Sequence, residues 1–219
     1  MYAWRLVFYE NLTPMARRTK EEAQATRSLI LDAAERVFLR RGVGSASLQE
    51  IAHEAQLTRG AIYWHFQNKA DVFDAMMQRV KLPMVAHFNT VSQEQANHPL
   101  QHLRQSVGKA LHQTVHDQQV RRVLEIAAHQ VEYGDTLQVV RERRVLEHRD
   151  RVADLERLLA LARVQGALPN GLNLQAAAVG LHALLDGLIS NWLLDPQAFA
   201  LEAVGLQSLD YFLAGLEQA

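Results

Sequence analysis

Residues 57–73, LTRGAIYWHFQNKADVF, place Tyr63, Trp64, His65 and Phe66 side by side. An α-helix turns about 100° per residue, so four consecutive rings cannot share one buried face. Ile62 and Phe66, four apart, read as the inward pair, which leaves the other rings in need of a partner elsewhere. Thr58 stands where an N-cap belongs, and Asn68, with Asp71 three residues on, caps a longer helix directly behind.

Upstream, Ser47 and Glu50 in SLQE have capping-box spacing and open a short helix with Leu48, Ile51, Ala52 and Ala55 inward. A helix over about residues 20–41 precedes it, with Leu29, Ile30, Ala33, Ala34, Val37 and Phe38 on one face and Gly42 as its stop. Short helix, tight connection, short capped helix is the layout of a helix-turn-helix. Downstream, Met76, Val80, Met84 and Phe88 continue at steps of four through Pro83, which predicts a kinked helix ahead of a broken one. Further helical patterns cover about 99–116, with Pro99 in the first turn, then 119–133, 136–165, 173–194 capped by Asn173, and 197–215. The run RERRVLEHRDR inside 136–165 reads as a solvated face supported by i,i+4 pairs. The expected architecture is all-α, about nine helices. A small helix-turn-helix domain over 15–67 precedes a larger helical bundle over 68–219.

Composition agrees with a folded globular chain: 219 residues, 48% hydrophobic and 21% charged. With no cysteine, disulfides, thiol catalysis and Cys-ligated zinc are excluded, and a reducing cytoplasm suits the chain. Residues 15–69 hold nine Lys/Arg against six Asp/Glu, whereas 70–219 hold thirteen against seventeen. A basic first quarter on an acidic remainder fits an anionic partner for that quarter. Residues 168–185, the longest nearly uncharged stretch, are too polar for a bilayer, so no membrane is expected. The opening MYAWRLVFYENLTP is a poor signal peptide and precedes a second methionine, Met15; residues 1–14 read as an extension without fixed structure.

Residues 26–76, TRSLILDAAERVFLRRGVGSASLQEIAHEAQLTRGAIYWHFQNKADVFDAM, resemble the DNA-binding region of the TetR family of bacterial repressors. MARRTKEEAQATR, EIAAHQVEY and DGLISNWLLDPQAF further resemble the AcrR-type repressors of multidrug efflux pumps. The residue chemistry runs the same way. Thr58 offers a hydroxyl and a helix N-terminus to phosphate, and Arg59 can read a guanine edge with its two-pronged guanidinium. Gly60 and Ala61 let the helix sit deep in a groove, and Tyr63, His65 and Lys69 project toward the flanking phosphates. Trp64 is expected to pack between this helix and the next. The resemblance supports these roles and adds Ser47 as a DNA-backbone contact. Gln56 stands in the turn where many relatives have glycine, and a left-handed conformation there would cost ~1 kcal/mol. Arg17, Arg18 and Lys20 form a basic arm that suits phosphate or minor-groove contact, or a solvated tail.

In the resembling subgroup a hydrophobic drug pocket lies within the bundle. It maps here onto Leu103, Ser106, Val107, Ala110, Leu124, Ala128, Leu181, His182, Leu185, Asp186 and Ile189. The resulting expectation is a cytoplasmic homodimer that binds a near-palindromic operator and is released by a hydrophobic inducer. The last two helices would form its interface through Leu184, Leu188, Trp192, Leu209, Phe212 and Leu216. His112 and His116, and His98 and His102, have metal-compatible i,i+4 spacing, but without an HExxH pattern they read as surface histidines and no metal is expected. No phosphate loop, nucleophile elbow or carboxylate pair appears, which argues against an enzyme and any cofactor. A helical small-molecule-binding enzyme or carrier, an activator, and a metal sensor stay as alternatives.

Overall fold

The caps read in the sequence open their helices. In the computed structural model Glu50 N–H donates to Ser47 Oγ (3.2 Å) and Ser47 N–H to Glu50 Oε2 (2.9 Å), closing the capping box. Ala61 N–H donates to Thr58 Oγ1 (3.2 Å), Asp71 N–H to Asn68 Oδ1 (3.0 Å) and Ala176 N–H to Asn173 Oδ1 (3.1 Å). The structure describes residues 13–89, 98–131 and 138–219, with side chains over 19–81, 98–131 and 138–219. Among these residues lie nine helices: α1 (Thr13–Ser45), α2 (Leu48–Glu54), α3 (Arg59–His65), α4 (Lys69–Asn89), α5 (Pro99–His116), α6 (Gln118–His129), α7 (Gln138–Val164), α8 (Leu174–Leu194) and α9 (Leu201–Glu217). The all-α expectation therefore holds.

Several boundaries move, each for a local reason. Gly42, at φ 74°, breaks α1 where a stop was expected, and one further turn follows. Helix α4 passes through Pro83 as a single element, so the kinked alternative to a fresh start fits better, although Met84 and Phe88 lie outside the described side chains. The last helix starts at Leu201 instead of 197, because Asp195 organises a turn first. Its Oδ1 accepts from Gln197 N–H at 3.0 Å and its carbonyl from Ala198 N–H at 3.1 Å. Residues 1–12 of the expected extension, and the side chains of Arg17 and Arg18, lie outside the described residues.

Two cores share one boundary. The first joins Ile30, Phe38, Ile51, Ile62, Phe66, Phe73 and Met76 with Val123 and Ile126 of α6. The three N-terminal helices are thus completed by α4 and α6, and Phe38 meets Phe73 edge-on at 6.4 Å. The second gathers Leu103, Leu111, Leu159, Leu181, Leu201 and Leu209 from α5, α7, α8 and α9. Leu124 of α6 packs against both. Helix α8 runs on past the 168–185 stretch read as too polar for a bilayer; by length and composition alone it could cross a membrane, and here it packs against α6, α7 and α9.

Candidate functional site

Helix α3 has only seven residues, so one inward position per turn holds it. Ile62 is fully buried and Phe66, just past its end, nearly so. Everything about 100° or 200° away must face out. Thr58, Arg59, Gly60 and Tyr63 are exposed, and Ala61 and His65 are half-buried on the same helix. The Arg59 guanidinium lies over the Tyr63 ring at 5.4 Å and has no ion-pair partner among the described residues. Burial first, then the Arg27 charge, hold His65 below its ordinary pKa of 6.5.

Two residues differ from expectation here, and Ser47 keeps the capping role read for it. Trp64 is 72% exposed and meets the His65 ring edge-on, at 4.6 Å. Two residues from Ile62 it sits nearly opposite the buried face, so it cannot brace the α3–α4 joint. Lys69 turns away from the outer surface: its Nζ donates to the carbonyls of Gly44 and, at 3.5 Å, Ala46. That ammonium therefore locks the α1–α2 connection onto the start of α4. Ser47 is exposed, but its hydroxyl is engaged with Glu50.

The second concave feature is a cavity of about 510 Å³ inside the bundle. Of the expected lining, Val107, Ala110, Leu124, Ala128, His182, Leu185, Asp186 and Ile189 reach it. Leu103, Ser106 and Leu181 do not; they are almost fully buried in the packing behind the wall. Sequence reasoning missed Met77 and Lys81 of α4 and Arg144, Arg151 and Asp154 of α7. The charged run of α7 is thus not wholly a solvated face. Arg144 Nη1 donates to the Ala127 carbonyl at 2.7 Å, and Arg143 pairs with Asp74 of α4. Arg151 faces the cavity without an ion-pair partner among the described residues.

Lys81 pairs with Glu147, and burial, the largest influence, still pushes its ammonium below the usual lysine range, with the Arg151 and Arg144 charges adding to it. His182 meets His148 edge-on at 4.6 Å and is likewise held below 6.5, by burial first and then by Arg151. The largely apolar cavity thus carries charges of both signs, Lys81, Arg144 and Arg151 beside Asp154 and Asp186.

One helix runs from behind α3 to the cavity. Helix α4 carries Met77 and Lys81 and begins at Lys69, immediately behind α3. It is fastened to α1 by Arg79, which donates to Asp32 (2.7 Å) and to the buried Glu35. Glu35 also accepts from Gln119 Nε2 (3.1 Å) and Arg122 Nε (3.4 Å) of α6.

Of the expected interface residues, Leu184, Leu188, Phe212 and Leu216 are half-buried on α8 and α9. Trp192 and Leu209 are not available to a partner. Both lie in this chain's own core, Trp192 beneath the Arg121 guanidinium at 5.0 Å. Val179, Leu194 and Tyr211 are instead the exposed large side chains of these two helices.

Residues 30–76 match the family described as bacterial regulatory proteins, tetR family, and residues 98–217 match the C-terminal region of MAATS-type transcriptional repressors. The chain is 39% identical to the HTH-type transcriptional regulator TtgR of Pseudomonas putida, over 84% of this chain and 88% of that protein. Among solved structures it is similar to NalD, the secondary repressor of the MexAB-OprM multidrug efflux pump in Pseudomonas aeruginosa. That likeness has 34% identity, a TM-score of 0.81, and coverage of 90% of this chain and 98% of NalD. It is also similar to SmeT in complex with triclosan, at 34% identity and TM-score 0.79, over 87% of this chain and 91% of SmeT. SmeT is the repressor of the Stenotrophomonas maltophilia multidrug efflux pump SmeDEF.

Proposed function

The chain belongs to the tetR family of bacterial regulatory proteins, as a helix-turn-helix repressor of the MAATS type and not an enzyme, and from that premise we propose a ligand-released repressor of a multidrug efflux operon. Two copies join through the outer faces of α8 and α9, where Leu184, Leu188, Phe212 and Leu216 lie among exposed Val179 and Tyr211. Each copy sets α3 in a major groove, and the two grooves lie about 34–36 Å apart on a near-palindromic operator. Arg59 reads a base edge, and Thr58, Tyr63 and His65 meet phosphates. The protein acts in the bacterial cytoplasm, where that operator is.

The observation that carries this reading is that one helix lines the cavity with Met77 and Lys81 and starts directly behind α3. A ligand that fits only when α4 shifts moves the recognition helix with it, and its differential affinity for the two positions sets the extent of release. The cavity selects lipophilic molecules, and the Arg151 guanidinium favours one hydrogen-bond-accepting group on them. The test is fluorescence anisotropy with DNA from upstream of the chain's own gene, titrated with lipophilic phenols, acids, and neutral and cationic drugs. Salt-dependent, sequence-selective binding, released by the same compounds that raise the melting temperature, is expected. Compounds that stabilise the protein yet leave the DNA complex intact would contradict the coupling.

A further inference from the structure

Helices α5 and α9 cross the molecule antiparallel, each step of four along one matched by a step of four back along the other. Arg104 Nε and Nη2 donate to the two carboxylate oxygens of Asp210 at 2.7 and 3.0 Å. One turn on, Gly108 lies against Leu206, and one turn further His112 meets Glu202. His116 sits a final turn along α5 and reaches the same carboxylate. His112 Nδ1 lies 3.0 Å from Glu202 Oε2, and His116 Nε2 lies 2.8 Å from Oε1. The two imidazole centroids are 4.2 Å apart, and one ligand atom from each of the three residues lies within 4.8 Å of the others.

We propose that His112, His116 and Glu202 form a binding site for a borderline divalent transition-metal ion, with zinc as the first choice. Spacing alone offered two imidazoles; the fold adds a carboxylate from a helix some ninety residues away, with each nitrogen already facing one of its two oxygens. Bonds of about 2.0–2.2 Å in a tetrahedral arrangement set the ligand atoms about 3.3 Å apart. The two nitrogen–oxygen contacts need to open by only a few tenths of an ångström, and the three ligand atoms, within 4.8 Å of one another, reach that spacing by side-chain rotation. Two nitrogens and one oxygen suit zinc, nickel or copper, whereas calcium and magnesium prefer oxygen alone. The side chains are 61%, 57% and 38% exposed, so an ion can enter and solvent can fill the fourth position. Leu111, next to His112, lines the cavity wall together with Val107 and Ala110. A bound ion therefore pins that wall to α9.

The experiment is calorimetric titration of the full-length protein with zinc chloride, alongside His112→Ala, His116→Ala and Glu202→Gln, with His98→Ala as control. Amide exchange of α5 and α9 is followed with and without zinc. One ion per chain, affinity lost about tenfold or more in each of the three variants but kept in His98→Ala, and slower exchange at the α5–α9 crossing are expected. Zinc binding that is absent from the parent protein, or unchanged in His112→Ala and His116→Ala, overturns the assignment. Circular dichroism of these surface variants separates loss of a ligand from loss of fold.

Discussion

Glu35 of α1 and Arg79 of α4 form an ion pair in which the carboxylate is only 1% exposed. A buried carboxylate is tolerable when its lone pairs are filled, and Gln119 and Arg122 of α6 supply the further donors. Three helices, one in the DNA-binding unit and two in contact with the cavity region, thus converge on one group. Glu35→Ala leaves Arg79 without that partner and is expected to lower stability by about 3–5 kcal/mol in urea denaturation. Glu35→Gln keeps the volume and one acceptor. It is expected to fold, to bind the cavity ligand, and to need more of it for operator release. Release unchanged in Glu35→Gln would remove this pair from the coupling route.

Arg59 and Lys69 should separate by what their loss changes. Arg59 is exposed and unpaired in the described structure, so Arg59→Ala is expected to cost about 1–3 kcal/mol of binding, mostly on the preferred operator and little on random DNA. Lys69 is spent on the carbonyls of Gly44 and Ala46. Lys69→Ala should lower the melting temperature and leave the salt slope of DNA binding nearly unchanged. A slope reduced by about one would restore Lys69 as a phosphate contact.

The recognition helix was legible because caps and short-range periodicity are local: Ser47, Thr58, Asn68 and Asn173 each act within three residues. The cavity was named in advance only through the resemblance to efflux-pump repressors, which mapped its lining onto α5, α6 and α8. Lys81, Arg144 and Arg151 arrive from helices far apart in sequence, and charge in a polar run looks solvated until the packing of α7 turns part of it inward. Trp192 and Leu209 failed for the converse reason. Periodicity marks an apolar stripe but cannot say whether the chain itself or a second copy covers it.

His182 gives a pH dependence of known sign. Its folded-state pKa lies below 6.5, chiefly through burial and then through Arg151. The unfolded chain therefore takes up a proton first as pH falls. The stabilisation is complete above 6.5 and is lost as pH drops from there through the lowered value. Urea denaturation between pH 7.5 and 5 should show stability falling in that window, and His182→Gln should flatten part of the decline. An identical decline in the variant would place its cause elsewhere.

Two glycines at the α5–α9 crossing should respond in opposite ways. A Cβ on Gly205 would come within 2.6 Å of Leu111 Cδ1, and Leu111 is only 1% exposed, so it has no free space except toward the cavity. Gly205→Ala is expected to cost about 1–3 kcal/mol and to weaken cavity ligands by pushing Leu111 inward. A Cβ on Gly108 meets Leu206 at an ordinary 3.5 Å. Gly108→Ala should therefore stabilise the helix by about 0.5–1 kcal/mol. Equal effects of the two substitutions in denaturation and ligand titration would refute the close-packing argument.

Gln56 carries a cost the chain could shed. It is the residue after the C-cap of α2, at φ 56°, and it closes a tight helix ending. Its N–H donates to the His53 carbonyl at 3.0 Å, and Leu57 N–H to that of Ala52 at 2.9 Å. Glycine meets this left-handed conformation without a Cβ penalty, though it also loosens the unfolded chain. Gln56→Gly is expected to raise stability by up to ~1 kcal/mol while both turn hydrogen bonds and operator affinity are kept. Gln56→Val, branched at Cβ, should lower stability by more than glycine raises it. Chemical denaturation of the three proteins orders them, and a glycine variant less stable than the parent would show that the glutamine side chain, and not backbone conformation, decides this turn.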